Sequence, residues 1–256
     1  ILTKILPKWG VHVDLAPPSD LDAWADALRT PAKIVFVETP TNPTLDIVDL
    51  AALSGLAHKA GAKLIVDNVV ATPVLQRPLE LGCDVVVYST TKHLDGQGRT
   101  LGGAVLCDKA FDKDFLQPFL RHTGPAISPF NAWVVVKGLE TLSLRVREQS
   151  RNAAILAERL ESLPNVTRVA YPGLASHPGH AVAKAGAGLR RAGASGGSVA
   201  RFGAGGLRCP DPRPRRGLSP SGACDPCRPR LLSRKPRRTR LCNPAEAGST
   251  EPFAGT

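Results

Sequence analysis

The densest chemistry in this sequence lies in one short run, Ser89-Thr90-Thr91-Lys92, followed by the glycine-rich stretch that completes "YSTTKHLDGQGRTLGG". A primary amine condenses with an aldehyde and, when desolvated, takes a proton near neutral pH. Hydroxyls beside exposed backbone N–H groups hold a phosphate. Two other polar groups have a similar setting. "KIVFVETPTNP" delivers Thr39, Thr41 and Asn42 in a loop stiffened by Pro40 and Pro43, and "AKLIVDN" delivers Asp67 and Asn68.

Each polar group directly follows a short β-branched run. Residues 33–39, 62–68, 83–89 and 102–108 read as strands. Between the first two lies "DLAALSGLAHKAG" (49–61), with Leu50, Leu53 and Ala57 on one helical face, Asp49 as N-cap and Gly61 as stop. Residues 71–82 read as a turn and short helix, and 131–163 as one or two long helices ended by Pro164. This alternation, with strands apolar on both faces, predicts an α/β fold with a mainly parallel sheet covered by helices. Open sheets of this kind bind ligands at the carboxyl ends of their strands, so the three polar sets are expected to converge on one rim.

Taken singly, a lysine after a strand is usually a solvated loop residue, "VDN" a strand-end turn and "TPTNP" a rigid loop. Their order at successive strand ends meets the needs of pyridoxal 5'-phosphate. Lys92 offers the amine for its aldehyde and Asp67 a partner for the pyridine nitrogen. Ser89 and Thr91 offer donors for the phosphate, and Asn42 an amide for the ring hydroxyl.

The segments "ETPTNPTL", "KLIVDN", "YSTTKHLDGQGRTLGG" and "GPAISPFNAWVVVKGLETLSLRV" resemble the Cys/Met-metabolism family of pyridoxal-phosphate enzymes. "KHLDGQGRTLGG" with "LQPFLRHTGPAISPFNAW" is similar to its O-succinylhomoserine sulfhydrylase branch. The resemblance covers about residues 1–180. It implies the large domain of the aspartate-aminotransferase fold and a homo-oligomeric parent, a tetramer of two dimers. It also implies Lys92 as the Schiff-base lysine, Asp67 at the pyridinium, Ser89 and Thr91 at the phosphate, and Asn42 near the ring hydroxyl. The implied reaction is γ-replacement on O-succinylhomoserine by sulfide, giving homocysteine and succinate in methionine biosynthesis. A cystathionine γ-synthase or lyase, or an O-acetylhomoserine sulfhydrylase, is the alternative.

Residues 1–164 are therefore expected to form a partial cofactor-binding large domain, and 165–184 the start of a linker to a smaller one. Residues 185–256 read differently. Of the 256 residues, 33 are Lys or Arg and 22 Asp or Glu; 181–256 hold 15 basic against 4 acidic, the whole net charge of +11. With 21 Gly and Pro and no helical or strand period, this tail is expected to be disordered or out of frame. The small domain, and an arginine for the substrate carboxylate, are not readable in it. An upstream segment carrying further cofactor contacts is expected before Ile1, and activity as a fragment is in question. An inactive fragment whose basic tail binds nucleic acid is the competing reading, weakened by the lack of interleaved aromatics. Cys209, Cys224, Cys227 and Cys242 have no folded context, so no metal site is expected. Cys83 and Cys107 read as core residues, Trp9, Trp24 and Trp133 as packing residues, and His93 as a packing or loop residue. With no secretory signal and no long apolar run, the expected setting is the cytoplasm.

Overall fold

The computed structural model describes residues 1–186. The expectations for the basic tail beyond them, including its cysteines, lie outside the described residues. In chain order the main elements are α1 (Leu21–Ala27), β1 (Ile34–Glu38), α2 (Leu50–Lys59), β2 (Lys63–Asp67), α3 (Thr72–Leu75), β3 (Val85–Ser89) and β4 (Gly103–Cys107). They are followed by α4 (Lys109–Phe111), α5 (Gln117–Thr123), α6 (Pro129–Glu161) and α7 (His180–Gly186).

The strands form one sheet in the order β1-β2-β3-β4. β1, β2 and β3 are mutually parallel, so their carboxyl ends share one rim, and β4 returns antiparallel against β3. The helix between β1 and β2 forms where expected: the Asp49 carboxylate accepts the Ala52 N–H at 3.0 Å, satisfying an orphan donor of its first turn. Leu50, Leu53 and Ala57 of α2 pack on Val35 and Val37 of β1 and Leu64 and Val66 of β2. Each large aliphatic side chain buried in this way contributes about 1.5–3 kcal/mol.

Further along the same face, Val86 and Tyr88 of β3 pack with Ala71, Leu75, Leu94 and, from α6, Leu142 and Val146. The span expected as one or two long helices is a single helix of 33 residues, capped by Ser128 accepting the Asn131 N–H. After α6 the chain turns back: Val169, Tyr171 and Leu174 pack on Ala157. Cys83 is buried in the α2 cluster, where desolvation and the neighbouring Asp84 charge push its thiol up to about 12. Cys107, on edge strand β4, is only partly buried.

The strands are not covered on both faces as the sequence suggests. Ile34 and Phe36 of β1 are 58% and 48% exposed, while their neighbours Val35 and Val37 are buried. The sequence reads β1 as apolar on both sides because all of its interior residues are apolar; the described residues supply a helix for one side only. The tryptophans also divide. Trp24 packs beside the α2 cluster and donates its indole N–H to the Pro18 carbonyl. Trp9 and Trp133 are 77% and 56% exposed, contrary to a packing role. Among the described residues no helix is long and apolar enough to cross a membrane.

At the opposite, amino-terminal edge of the strands, Asp84 ties two strands and α2 together. Its carboxylate accepts the Leu64 N–H at 2.8 Å, the Lys63 amine at 2.7 Å and the His58 Nε2 at 2.9 Å. Burial alone would raise this carboxyl, but the hydrogen bonds from Lys63, His58 and Leu64 outweigh it and hold it below the ordinary value. A carboxyl lowered on folding stabilises fully above its unfolded value of about 3.9, and that contribution is lost as pH falls through the folded value. Asp84→Asn should therefore lower the urea midpoint at pH 7. The gap to wild type should persist to pH 5 and close below about pH 4. A gap independent of pH would show that the Asp84 charge contributes nothing.

Candidate active site

Three strand ends meet at the carboxyl rim, and the two-residue period of a strand decides what each residue there does. Thr39 continues the inward phase of Val35 and Val37, Asn68 that of Leu64 and Val66, and Thr90 that of Val86 and Tyr88. All three are buried. Glu38, Asp67 and Ser89 hold the alternate phase and are half-exposed. Thr39 and Asn68, expected on the rim, are thus part of the layer beneath it, because they stand one residue out of step with the rim.

That layer is a hydrogen-bonded polar network. The Asn68 amide donates to the Gln76 carbonyl at 2.9 Å and the Tyr88 hydroxyl at 2.8 Å, with the Thr72 carbonyl at 3.3 Å. Its oxygen accepts from the Gln76 amide at 2.9 Å, and that amide also reaches the Thr39 carbonyl at 3.3 Å. The Thr39 hydroxyl accepts the Val48 N–H at 3.0 Å. Backbone bonds join the same three ends, from the Thr39 N–H to the Asp67 carbonyl and from the Asn68 N–H to the Val87 carbonyl. Burial raises the Tyr88 hydroxyl, and the Asn68 donor partly offsets that rise.

Above this floor, Asp67 stands beside Glu38 in register. Among the described residues its carboxylate accepts one hydrogen bond, from the Val69 N–H at 3.0 Å, leaving its second oxygen available there. Burial pushes the Glu38 carboxyl up; the Asn42 N–H pulls it back, and the Asp67 charge adds to the rise. Asn42 is exposed in the loop after β1. Thr41 is turned away, bound to Asp46 and Thr44.

After β3 the chain makes a wide turn, Thr90–Leu94, closed by the Asp95 N–H on the Thr90 carbonyl. Lys92 lies inside it with ψ −122°, outside the helical range, and is exposed. The Thr91 hydroxyl accepts the Gly102 N–H at 3.1 Å, and the Thr90 N–H donates to the Gly102 carbonyl at 3.0 Å, so the turn is strapped to the approach to β4. The Ser89 hydroxyl and the Lys92 amine make no hydrogen bond among the described residues. His93, read as a packing or loop residue, is partly buried; desolvation and the Arg145 charge lower its proton affinity, and a bond to Gln149 partly restores it.

The Lys92 amine and Ser89 hydroxyl, without hydrogen-bond partners among the described residues, the Asp67 carboxylate and the Thr91 hydroxyl proton lie above the strand ends and fit the functional groups of pyridoxal phosphate. Three residues near the site had no role assigned from the sequence: Glu38, although it opens "ETPTNPTL", Gln76, and Arg145, although it lies in "GPAISPFNAWVVVKGLETLSLRV". The strand phase marks Glu38, which follows Phe36 at the step of two. Gln76 and Arg145 lie far along the chain in helical or turn text, and only the tertiary structure brings them in.

The chain matches the family profile of Cys/Met metabolism PLP-dependent enzymes over residues 1–194. It is 49% identical over 211 residues to an O-succinylhomoserine sulfhydrylase of Mycobacterium tuberculosis, covering 82% of this chain and 50% of the relative. It is 43% identical to a cystathionine gamma-synthase of Mycobacterium leprae, covering 72% of this chain and 47% of the relative. The crystal structure of apo CalE6, a methionine gamma lyase from Micromonospora echinospora, superposes with a TM-score of 0.69 at 42% identity, covering 74% of this chain and 51% of that one. The chain spans about half the length of the curated relatives it matches.

Because the polar floor holds the rim, its disruption should register as lost stability. Asn68→Ala leaves the Gln76 amide and carbonyl and the Tyr88 hydroxyl without this partner, and each buried unsatisfied group costs about 1–3 kcal/mol. Urea unfolding of the variant should show a loss in that range or larger. A loss below about 0.5 kcal/mol, the scatter of ordinary surface substitutions, would mean that Asn68 does not organise the floor.

Proposed function

The chain belongs to the Cys/Met metabolism family of pyridoxal-phosphate-dependent enzymes, and we propose that its rim is the cofactor and reaction site of a γ-replacement enzyme acting on O-succinylhomoserine. The observation that carries this is the convergence of Lys92, Asp67 and Ser89 at the neighbouring carboxyl ends of β2 and β3, with the Lys92 amine and the Ser89 hydroxyl making no hydrogen bond among the described residues.

Bound here, pyridoxal phosphate supplies an aldehyde for an amine and a ring that accepts the electrons of a broken Cα–H bond. The residues of the chain provide the rest. Lys92 would hold the cofactor through its amine and carry the substrate Cα proton on Nζ. Asp67 would keep the pyridine nitrogen protonated with the carboxylate oxygen that Val69 leaves available. The Ser89 hydroxyl would donate to the phosphate, joined by the Thr91 hydroxyl proton, since that oxygen accepts from Gly102. Asn42 would serve the ring hydroxyl from the loop after β1. Net reaction at Cγ exchanges succinate for sulfide, forming a C–S bond, breaking a C–O bond and yielding homocysteine.

The choice of O-succinylhomoserine over another homoserine ester or cystathionine rests on the 49% identity to the mycobacterial sulfhydrylase against 43% to the cystathionine gamma-synthase. The same rim would serve either, because the differences between such substrates lie beyond Cγ.

Incubation of the 256-residue chain with pyridoxal phosphate should produce a visible absorption band, and borohydride should fix the adduct on the Lys92 peptide. Lys92→Ala should abolish both. Asp67→Asn should retain the adduct while lowering any sulfide-dependent release of succinate by about 100-fold or more, the scale of a lost proton-handling group. A chain that shows no band, or whose band survives Lys92→Ala, does not use this site.

A further inference from the structure

Lys92 is held from behind by a residue outside every motif at the rim. The turn after Lys92 leaves the regular helical ladder, so its carbonyls need donors from elsewhere. Arg145, on α6, provides them. Its guanidinium donates to the His93 carbonyl at 2.9 Å and reaches the Leu94 carbonyl at 3.5 Å. It is itself anchored on its own helix, by the Gly138 carbonyl at 2.8 Å and the Thr141 hydroxyl at 3.0 Å. The guanidinium thus bridges α6 and the two residues directly following the lysine.

Two glycines make the approach possible. A Cβ on Gly138 would lie 2.8 Å from the Asp95 Cα and against the Leu94 carbonyl, so only glycine lets α6 come this close to the turn. Gly96 has φ +78°, and a Cβ there would lie 2.5 Å from the Arg145 Cζ. The turn is closed on its far side by the Gly96 N–H on the Lys92 carbonyl at 2.7 Å and by buried Asp95, whose carboxylate binds the Arg99 N–H and guanidinium. An arginine between two glycines, with three of its contacts on backbone carbonyls and none on a carboxylate, is a specific arrangement for fixing one turn.

We propose that Arg145 is a positioning residue for Lys92: through the His93 and Leu94 carbonyls it fixes where the lysine amine stands at the rim. This rests on the reading of Lys92 as the cofactor lysine. The Arg145 guanidinium is directed at the backbone behind Lys92, so its effect is on how selectively Lys92 captures an aldehyde. Methionine at this position keeps much of the length and apolar stem but removes the donors. Lysine keeps the charge but can reach fewer carbonyls, without the planar fork.

The test is competition among lysines within the full chain. Wild type, Arg145→Met, Arg145→Lys and, as a control, Arg151→Met, whose guanidinium pairs with Glu148 on the outer surface of the same helix, are incubated with pyridoxal phosphate and reduced with borohydride. Peptide mass spectrometry then gives the share of pyridoxyl label on Lys92 relative to the exposed Lys4 and Lys59. Thermal melts are recorded in parallel. Wild type and Arg151→Met should label Lys92 preferentially. Arg145→Met should reduce that preference about tenfold or more, the scale expected of a small misplacement of a reacting group, in protein that still melts cooperatively, and Arg145→Lys should recover part of it. If Arg145→Met does not fold, Arg145→Lys decides: a reduced preference in folded protein supports the proposal, and a wild-type preference overturns it. A preference retained in Arg145→Met overturns it likewise. If wild type itself shows no preference for Lys92, the cofactor reading fails and this inference falls with it; failure in the variants alone leaves that reading standing.

Discussion

The buried amide of Asn68 is the interaction on which the rim depends. Peptide groups at strand ends run out of ladder partners, and three such ends lie side by side here. Asn68 and Gln76 exchange hydrogen bonds with each other and reach Tyr88 on β3 and the Thr39 carbonyl after β1. Polar side chains placed in the core without partners would destabilise it; a network whose members satisfy one another instead sets their relative positions. The half-exposed Glu38, Asp67 and Ser89 inherit that order because each is covalently next to a member of the buried layer, and the alternation of the strand sends it the other way.

The rim is therefore built on two sides by different means. The ends of β1 and β2 are fixed by side-chain amides beneath them. The turn carrying Lys92 extends past the sheet and is held laterally, by the Gly102 strap and by α6. A long helix is a stiff support: its 33 residues reach from the cap at Ser128, past Leu142 and Val146 against β3, to the contact of Ala157 with Tyr171. The lysine turn is thereby referenced to the body of the fold and not to its neighbouring loop alone.

Much of this was legible in the sequence. Four β-branched runs gave four strands within a residue or two at each end, and the Asp49 cap and the long helix followed from local rules. The rim residues Asp67, Ser89 and Lys92 were legible because strand ends are marked by an abrupt change from apolar to polar. Which polar residue faced the rim needed the period of two, and ignoring it placed Thr39 and Asn68 on the wrong side of the layer. Coverage of β1 was misread because an all-apolar strand says that both faces avoid water, without saying what covers each. Arg145 was invisible for another reason: its partners are carbonyls, and a backbone acceptor leaves no mark in residue identity.

Cys83 carries one more consequence. A thiol reacts as its thiolate, and one whose proton leaves only near pH 12 is almost wholly protonated at neutral pH. In the proposed reaction sulfide attacks a substrate carbon at the rim, and an ionised cysteine within reach would compete for that carbon. Enclosed by α2 and the sheet and held as the thiol, Cys83 offers no such competitor in the core beneath the rim.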